Sequence, residues 1–412
     1  EHDASEWGTD MAADSIRGPV GTDVEVRIKR PGFAEAIPFR ITRAEVHVPA
    51  VNYGVMDGNV GYVLLDRVAR NAAQEMDEAL GELEGTNGLI IDLRRNPGGF
   101  LDESLLLADL FLEPGAVLAS TTQRAEAGPS ALASRLGGGA GAAGSAEKSV
   151  EAYRDRFPVR VPDLPVIVLV DRYTASGAEI MAGALQDYDR ALVLGERTFG
   201  KGLVQTVMRL PYGRRLQFTT GEWQTPLGRS LHRPRDMEMR PLDEDLDTFP
   251  HVTTPAGRSL VAAGGVFPDI EIQDDTLTLA EREVLRVAGE KEIPLGLRLA
   301  ELSFDVARDL KEAGRPPELP DARLDAFIGA LAAEGIPRSV LDAPGVRDWL
   351  AWRARMGIAQ RMDEVGREAD VRMERDPVLT EATRLLRTAT TQAALFRQAA
   401  DRQASRGGSG GL

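Results

Sequence analysis

Val166-Ile-Val-Leu-Val170-Asp171-Arg-Tyr-Thr174-Ala175-Ser176-Gly177-Ala178-Glu179 is an unbroken apolar run, a turn of mostly small and polar residues, and the opening of a helix. Such a run with no polar interruption predicts a strand buried on both faces, the habit of a parallel sheet. Ala178–Asp187 predicts the helix that follows. The same alternation extends outward in both directions. Upstream, Gly61–Leu65 predicts a strand, Asn71–Glu84 an amphipathic helix, Gly88–Leu93 a buried strand and Asp102–Leu112 a helix. Downstream, Ala191–Leu194 predicts a strand, and alternating strands follow around Leu203–Met208 and Leu216–Thr220. Strand and helix in turn predict an α/β fold built on a largely parallel sheet.

The rest of the chain surrounds this block. It has 412 residues, a formal net charge of −15, four histidines and no cysteine. The length suggests two or three domains and a sizeable core. Without cysteine, disulfide scaffolds, thiolate zinc sites, iron–sulfur clusters and cysteine nucleophiles are excluded. The acidic balance argues against nucleic acid as a partner. His2, His47, His232 and His251 are scattered, so the sequence marks no metal site, and no cofactor is expected. No apolar stretch approaches the ~20 residues of a membrane-spanning helix. The start, Glu1-His2-Asp3, resembles a cut end, with any targeting segment or membrane anchor upstream.

Near the start, Met11–Ile16 predicts a short helix, Arg17–Thr22 a turn, and Val24–Ile28 and Ile37–Ile41 strands. Residues 120–150 break the α/β pattern. Leu136–Ser145 is nearly all Gly and Ala, which predicts a mobile loop or lid insertion. Residues 276–405 predict a separate α-helical region that packs on itself, the core or another subunit, and residues 406–412 a flexible tail.

Three short patterns imitate known sites. Gly139–Gly144 matches GxGxxG and Ser145–Lys148 matches SxxK, both inside the Gly/Ala-biased loop. Gly195–Gly202 follows a strand and approaches a phosphate-binding loop. It has Gly202 where Ser or Thr should bind Mg²⁺, and strand-like residues follow.

A stronger constellation spans the ends of the central strands. Ser176 falls at the mouth of a helix, where free N–H groups and the positive dipole end favour a developing anion. That is a position for an acyl-transfer nucleophile, and helix capping is the alternative role. Lys201, between Gly200 and Gly202, is the candidate base, with a plain surface lysine as its alternative. An ammonium needs burial, for which Phe199, Leu203 and Val204 are candidate walls, before it can act as a neutral amine. Gln205 lies four residues beyond and can orient an amine without holding it protonated; in a helical turn the two would meet directly, and an extended strand would set them ~13 Å apart at Cα. Asp92-Leu-Arg-Arg-Asn-Pro-Gly98-Gly99 ends another buried strand. The N–H groups of its Pro-Gly-Gly turn, with that of Gly177, are candidates for an oxyanion hole, and a plain strand-to-helix loop is the alternative.

Taken together, Asp92–Gly99, Thr174–Glu179 with Ala182–Asp187, and Thr198–Gln205 resemble the carboxy-terminal processing peptidases, or tail-specific proteases. Thr225–Ser230, Thr254–Arg258 and Gly264–Asp269 add to the likeness, which covers residues 1–272 strongly and the helical tail loosely. The resemblance implies a crotonase/ClpP-like peptidase core at 43–275, preceded by the C-terminal part of a PDZ domain and a linker at 1–42 and followed by the helical region. It implies serine endopeptidase activity near the C-termini of unfolded or partly folded proteins. The catalytic residues would be Ser176, Lys201 and Gln205, and the oxyanion hole Gly98 or Gly99 with Gly177. Gly177 stands where many members have Ala. The family is usually exported to the periplasm or cell envelope, and self-assembly is left open. A non-catalytic peptide-binding module on the same fold is the alternative reading.

Overall fold

The chain divides into two units, residues 1–49 and 50–412. The computed structural model describes residues 4, 7–29, 35–124, 148–211, 214–362 and 364–407. In the first unit, helix α1 (Thr9–Ile16) precedes an antiparallel pair, β1 (Asp23–Ile28) and β2 (Ile37–Thr42). Asp23 ties the pair, taking Thr42 Oγ1 at 2.7 Å and Arg40 Nε at 2.8 Å.

The second unit begins with β3 (Val51–Met56), β4 (Val60–Leu65), α2 (Ala72–Glu82), β5 (Leu89–Asp92) and α3 (Leu101–Asp109). It continues with β6 (Val117–Arg124), β7 (Lys148–Arg154), β8 (Val166–Val170), α4 (Gly177–Asp187), β9 (Leu192–Gly195), β10 (Leu203–Arg209) and β11 (Arg215–Gln224). Three short strands follow, β12 (His251–Thr253), β13 (Ser259–Val261) and β14 (Ile270–Glu271). Six strands form one sheet in the order β14-β9-β8-β5-β4-β3, parallel throughout except for the β3–β4 hairpin. A four-stranded antiparallel sheet, β10-β11-β6-β7, is separate. Residues 120–124 and 148–150, the flanks of the Gly/Ala segment, belong to β6 and β7. The segment itself, with Gly139–Gly144 and Ser145, lies outside the described residues.

The five apolar residues of β8 are explained by its two buried faces. Val166, Val168 and Val170 join a core with α2, α3 and α4. Ile167 and Leu169 point the other way, into a core with Val378, Leu379, Ala382, Leu385 and Leu395. Those last residues come from the end of the chain, so the helical region divides in two. Helices α5 (Leu279–Glu290), α6 (Leu295–Ala313), α7 (Asp321–Glu334), α8 (Arg338–Leu341) and α9 (Val346–Arg361) build a core of their own around Trp349 and Leu350. Helices α10 (Val365–Met373), α11 (Pro377–Leu386) and α12 (Gln392–Gly407) supply the apolar cover for the second face of the sheet.

A buried polar clamp reinforces this cover at the end of β5. Arg94 Nη2 lies 2.7 Å from Asp92 Oδ2 and 2.7 Å from Asp376 Oδ2. Tyr62 donates its hydroxyl to Asp92 at 2.9 Å, and Arg372 donates to Tyr62 at 3.2 Å. Burial alone would raise the Asp92 carboxyl; Arg94 and Arg372 together more than offset it, and the carboxyl sits below its ordinary value. Two polar residues of the Asp92–Gly99 stretch thus serve to hold α10 and α11 on the sheet.

Candidate active site

Ser176 sits between the C-terminal end of β8 and the first residue of α4, half-buried, with φ 56° and ψ −119°. A positive φ is costly for a residue with a side chain and persists only when its surroundings enforce it. The enforcement comes from Asp171, whose Oδ1 accepts the N–H groups of Arg95 at 3.0 Å and of Tyr173 and Thr174 at 2.9 Å. Thr174 donates its hydroxyl to Leu93 O at 2.9 Å, and Ala175 N donates to Asn96 O at 2.9 Å. The two strand-end loops are therefore stitched to each other, and the serine is carried on the seam.

The Pro-Gly-Gly turn lies against this seam. A Cβ on Gly98, which has φ +86°, would fall 2.6 Å from Gly177 N and 2.8 Å from Ser176 Cβ. A Cβ on Gly99 would strike Val68 O at 1.9 Å. Only glycine permits this approach. Asn96 accepts the Gly98 N–H at 2.8 Å, so that donor is engaged. Among the described residues, no hydrogen bond uses the N–H of Gly99 or Gly177. Gly177 owes its identity to α3: a Cβ there would meet Ser104 Oγ at 2.2 Å.

Lys201 lies on the segment between β9 and β10, and it leads into a strand rather than the helix a phosphate loop would open. Its side chain is exposed. Phe199, a candidate wall, is instead covered by Arg235, whose guanidinium carbon lies 3.5 Å from the ring centroid. Gln205 is on β10, beyond a bulge between Val204 and Gln205, and its Oε1 accepts from Gln217 Nε2 at 2.6 Å. The extended alternative for Lys201 and Gln205 is the one found.

What binds the serine and lysine segments together is Glu179, fully buried in the first turn of α4. Oε2 accepts Ser176 N at 2.9 Å and Lys201 N at 2.8 Å. Oε1 accepts Gly200 N at 2.8 Å and Thr198 Oγ1 at 2.5 Å. Thr198 Oγ1 in turn accepts Val266 N at 2.7 Å. Burial raises the Glu179 carboxyl above its ordinary value, despite the opposing hydrogen bonds from Thr198, Lys201, Gly200 and Ser176. Sequence reasoning passed over this role. The signal available was a glutamate three residues after a helix-capping serine.

The far end of α4 is pinned by two similar turns, Thr225-Pro-Leu-Gly-Arg229 and Thr254-Pro-Ala-Gly-Arg258. In each, the Thr N–H donates to the Arg carbonyl and the Gly N–H to the Thr carbonyl. Arg229 Nη2 pairs with Asp187 Oδ1 at 2.6 Å, both side chains fully buried, and Arg258 Nε pairs with Asp189 Oδ1 at 2.6 Å. Among the described residues, no group of His, Asp or Glu is arranged to hold a metal ion.

Residues 59–239 match the sequence model of peptidase family S41. A carboxyl-terminal-processing protease of Synechocystis sp. is 34% identical over 267 residues, 63% of this chain and 57% of that protein. A carboxy-terminal-processing protease of Bartonella bacilliformis is 32% identical over 226 residues, 53% of this chain and 47% of its own. The chain thus spans about half the length of these curated relatives. A solved photosystem II D1 C-terminal processing protease shares 26% identity, with a TM-score of 0.39, over 64% of this chain and 58% of that one. The serine turn, the Pro-Gly-Gly turn and the lysine segment all fall inside the residues that match peptidase family S41.

Proposed function

We propose that the chain is a serine endopeptidase that cuts unfolded or partly folded polypeptides near their C-termini. The observation that carries this reading is Ser176, held at positive φ on a helix mouth beside the unengaged N–H groups of Gly99 and Gly177. Ser176 Oγ attacks the scissile carbonyl carbon, and a neutral Lys201 Nζ takes the hydroxyl proton. The carbonyl oxygen becomes an oxyanion facing the two N–H groups, each donor being worth about 3 kcal/mol to the transition state. The C–N bond then breaks as Lys201 returns the proton to the leaving amine. Water, giving its proton to Lys201, attacks the ester carbonyl, and as the C–O bond breaks Lys201 passes that proton to Ser176 Oγ, restoring the free serine. Gly98 acts by its lack of a side chain, since its N–H is held by Asn96.

Lys201 must turn in from its exposed position for this chemistry. Gln205 orients the amine in that arrangement, after giving up or sharing its bond with Gln217. Residues 1–42 we read as the C-terminal part of a PDZ domain with its linker, and 43–275 as a crotonase/ClpP-like core. We place the protein in the periplasm or cell envelope, as its resemblance implies. No described helix is long and apolar enough to cross a membrane.

The exposed lysine and the Gln205–Gln217 bond favour a second reading, a peptide-binding module with no catalysis. Digestion of a loosely folded, C-terminally tagged protein, followed by mass spectrometry, separates the two. Cleavage by the wild type and none by Ser176→Ala or Lys201→Ala is expected. Equal cleavage by wild type and Ser176→Ala, or none by a folded wild type, overturns the peptidase reading.

A further inference from the structure

Five side chains around Ser176 take no part in the chemistry above. Phe100, which follows the Gly99 donor, and Tyr173, in the serine turn, are both about half exposed, at 48% and 49%. Rings as exposed as these occur elsewhere, at Phe157 and Phe304, and what marks these two is their place beside Ser176 and the arginines they carry. Each ring carries arginine. The guanidinium carbon of Arg70 lies 4.7 Å from the Phe100 centroid, and those of Arg172 and Arg95 lie 5.1 and 5.5 Å from that of Tyr173.

The backbone places both pairs beside the serine. Val68 N donates to Gly98 O and Phe100 N donates to Val68 O, each at 3.0 Å, which brings the Arg70 segment alongside the Pro-Gly-Gly turn. Arg95 N and Tyr173 N share the Asp171 carboxylate.

A guanidinium lying over a ring keeps its edge N–H donors free, in the planar fork that matches a carboxylate. Arg70, Arg95 and Arg172 are exposed, and none forms an ion pair among the described residues. A hydrogen bond with the Tyr173 side chain acts most strongly on Arg172 and engages one of its donors, and Glu196 and Asp171 act on it electrostatically. The Asp171 carboxylate already serves three backbone N–H groups. Three unpaired cations at one rim run against the chain's net charge of −15. Some exposed arginines elsewhere have acidic partners, as Arg286 does with Glu283 and Arg347 with Asp325, while others, such as Arg282 and Arg338, form no ion pair among the described residues; what sets these three apart is that they gather over two rings beside Ser176.

We propose that Arg70, Arg95 and Arg172, held over Phe100 and Tyr173, read a carboxylate close to the bond that is cut, with an apolar side chain resting on the rings. The substrate class is a polypeptide segment that is apolar and carries an acidic side chain or its own terminal carboxylate within a few residues of the scissile bond. The rim deepens the peptidase reading and depends on it for the word substrate; its recognition of a carboxylate does not.

Binding to the full chain carrying Ser176→Ala tests it without catalysis. Four labelled peptides of one apolar sequence are compared by fluorescence anisotropy, with Glu or Gln at one position and a free or amidated C-terminus. The acidic peptides are expected to bind about five- to tenfold tighter than the neutral one. Raising salt from about 0.1 to about 1 M, which shortens the Debye length from about 10 to about 3 Å, is expected to close most of that gap. The triple substitution Arg70→Gln, Arg95→Gln, Arg172→Gln is expected to bring the gap within about twofold; if it does not melt cooperatively, the three single variants replace it. A gap for Glu against Gln assigns the side-chain source, and a gap for free against amidated ends assigns the terminal source. Equal binding of all four peptides, or a gap that survives both high salt and the substitutions, overturns the proposal. Charge-selective binding without cleavage by the wild type would instead count against the peptidase reading alone.

Discussion

Replacing Glu179 with glutamine removes one charge from a pocket in which four donors converge. Oε1 serves Thr198 and Gly200, and Oε2 serves Ser176 and Lys201. A glutamine has one oxygen, so its amide nitrogen must face one of these pairs. Thr198 can reverse its hydroxyl, whereas a backbone N–H cannot, so the nitrogen settles on the Thr198 side and strands the Gly200 N–H. A buried unsatisfied donor costs about 1–3 kcal/mol, and weaker bonds to Ser176 and Lys201 add about 1 kcal/mol. Against this stands the burial cost of the carboxylate, which raises Glu179 and which glutamine escapes. The expected net loss of unfolding free energy is about 1–3 kcal/mol. Because Gly200 adjoins Lys201, kcat is expected to fall about tenfold with KM nearly unchanged. Glu179→Asp keeps the charge but is shorter by about 1.5 Å, so it holds only one of the two segments, and kcat is expected to fall about a hundredfold. Urea unfolding with steady-state kinetics on a peptide substrate checks both variants. A Glu179→Asp enzyme with wild-type kcat would refute the claim that this carboxylate aligns serine and lysine.

Two other perturbations probe the same region. Gly177→Ala puts a methyl 2.2 Å from Ser104 Oγ and is expected to destabilise by about 1–3 kcal/mol; adding Ser104→Ala, which leaves a 3.3 Å contact, should recover most of it in thermal melts. Asp155, buried at the end of β7, is raised to about 7 by burial and by its hydrogen bond with Asp109. The folded state therefore keeps a proton that the unfolded chain has released above about pH 4, so this contribution is present in full below that pH and is lost as pH rises through about 7. Asp155→Asn should flatten the resulting fall in stability by about 1–3 kcal/mol between pH 5 and 8, and an unchanged slope in denaturant titrations would remove Asp155 as its source.

The parallel sheet was legible because its signal is local. Five apolar residues at Val166–Val170 state that both faces are buried, and a small-residue turn before Gly177 states where the helix opens. The sequence does not say what buries the second face. The apolar stripe of α11 is visible over Pro377–Leu386, but an amphipathic helix presents the same stripe to a sheet, a sibling helix or another subunit. The choice rests on Asp92, Arg94 and Asp376, whose contact joins residues far apart in the chain. Asp92 and Arg94, read locally, belonged with the Pro-Gly-Gly turn and its oxyanion donors.

Glu179 shows the same limit at the site. One of its four donors, Ser176 N, belongs to its own turn and is readable as a helix cap; the other three arrive from Thr198, Gly200 and Lys201 on another loop. A fully buried carboxylate is tolerated only where such donors meet it, so its cost is evidence that the serine and lysine segments must be held together in the folded chain. The backbone is thereby fixed at both residues while the Lys201 side chain stays exposed. Under the proposed chemistry that side chain has to swing inward when a polypeptide binds. On this arrangement the scaffold fixes both backbones in advance, and substrate binding has only the Lys201 side chain left to place.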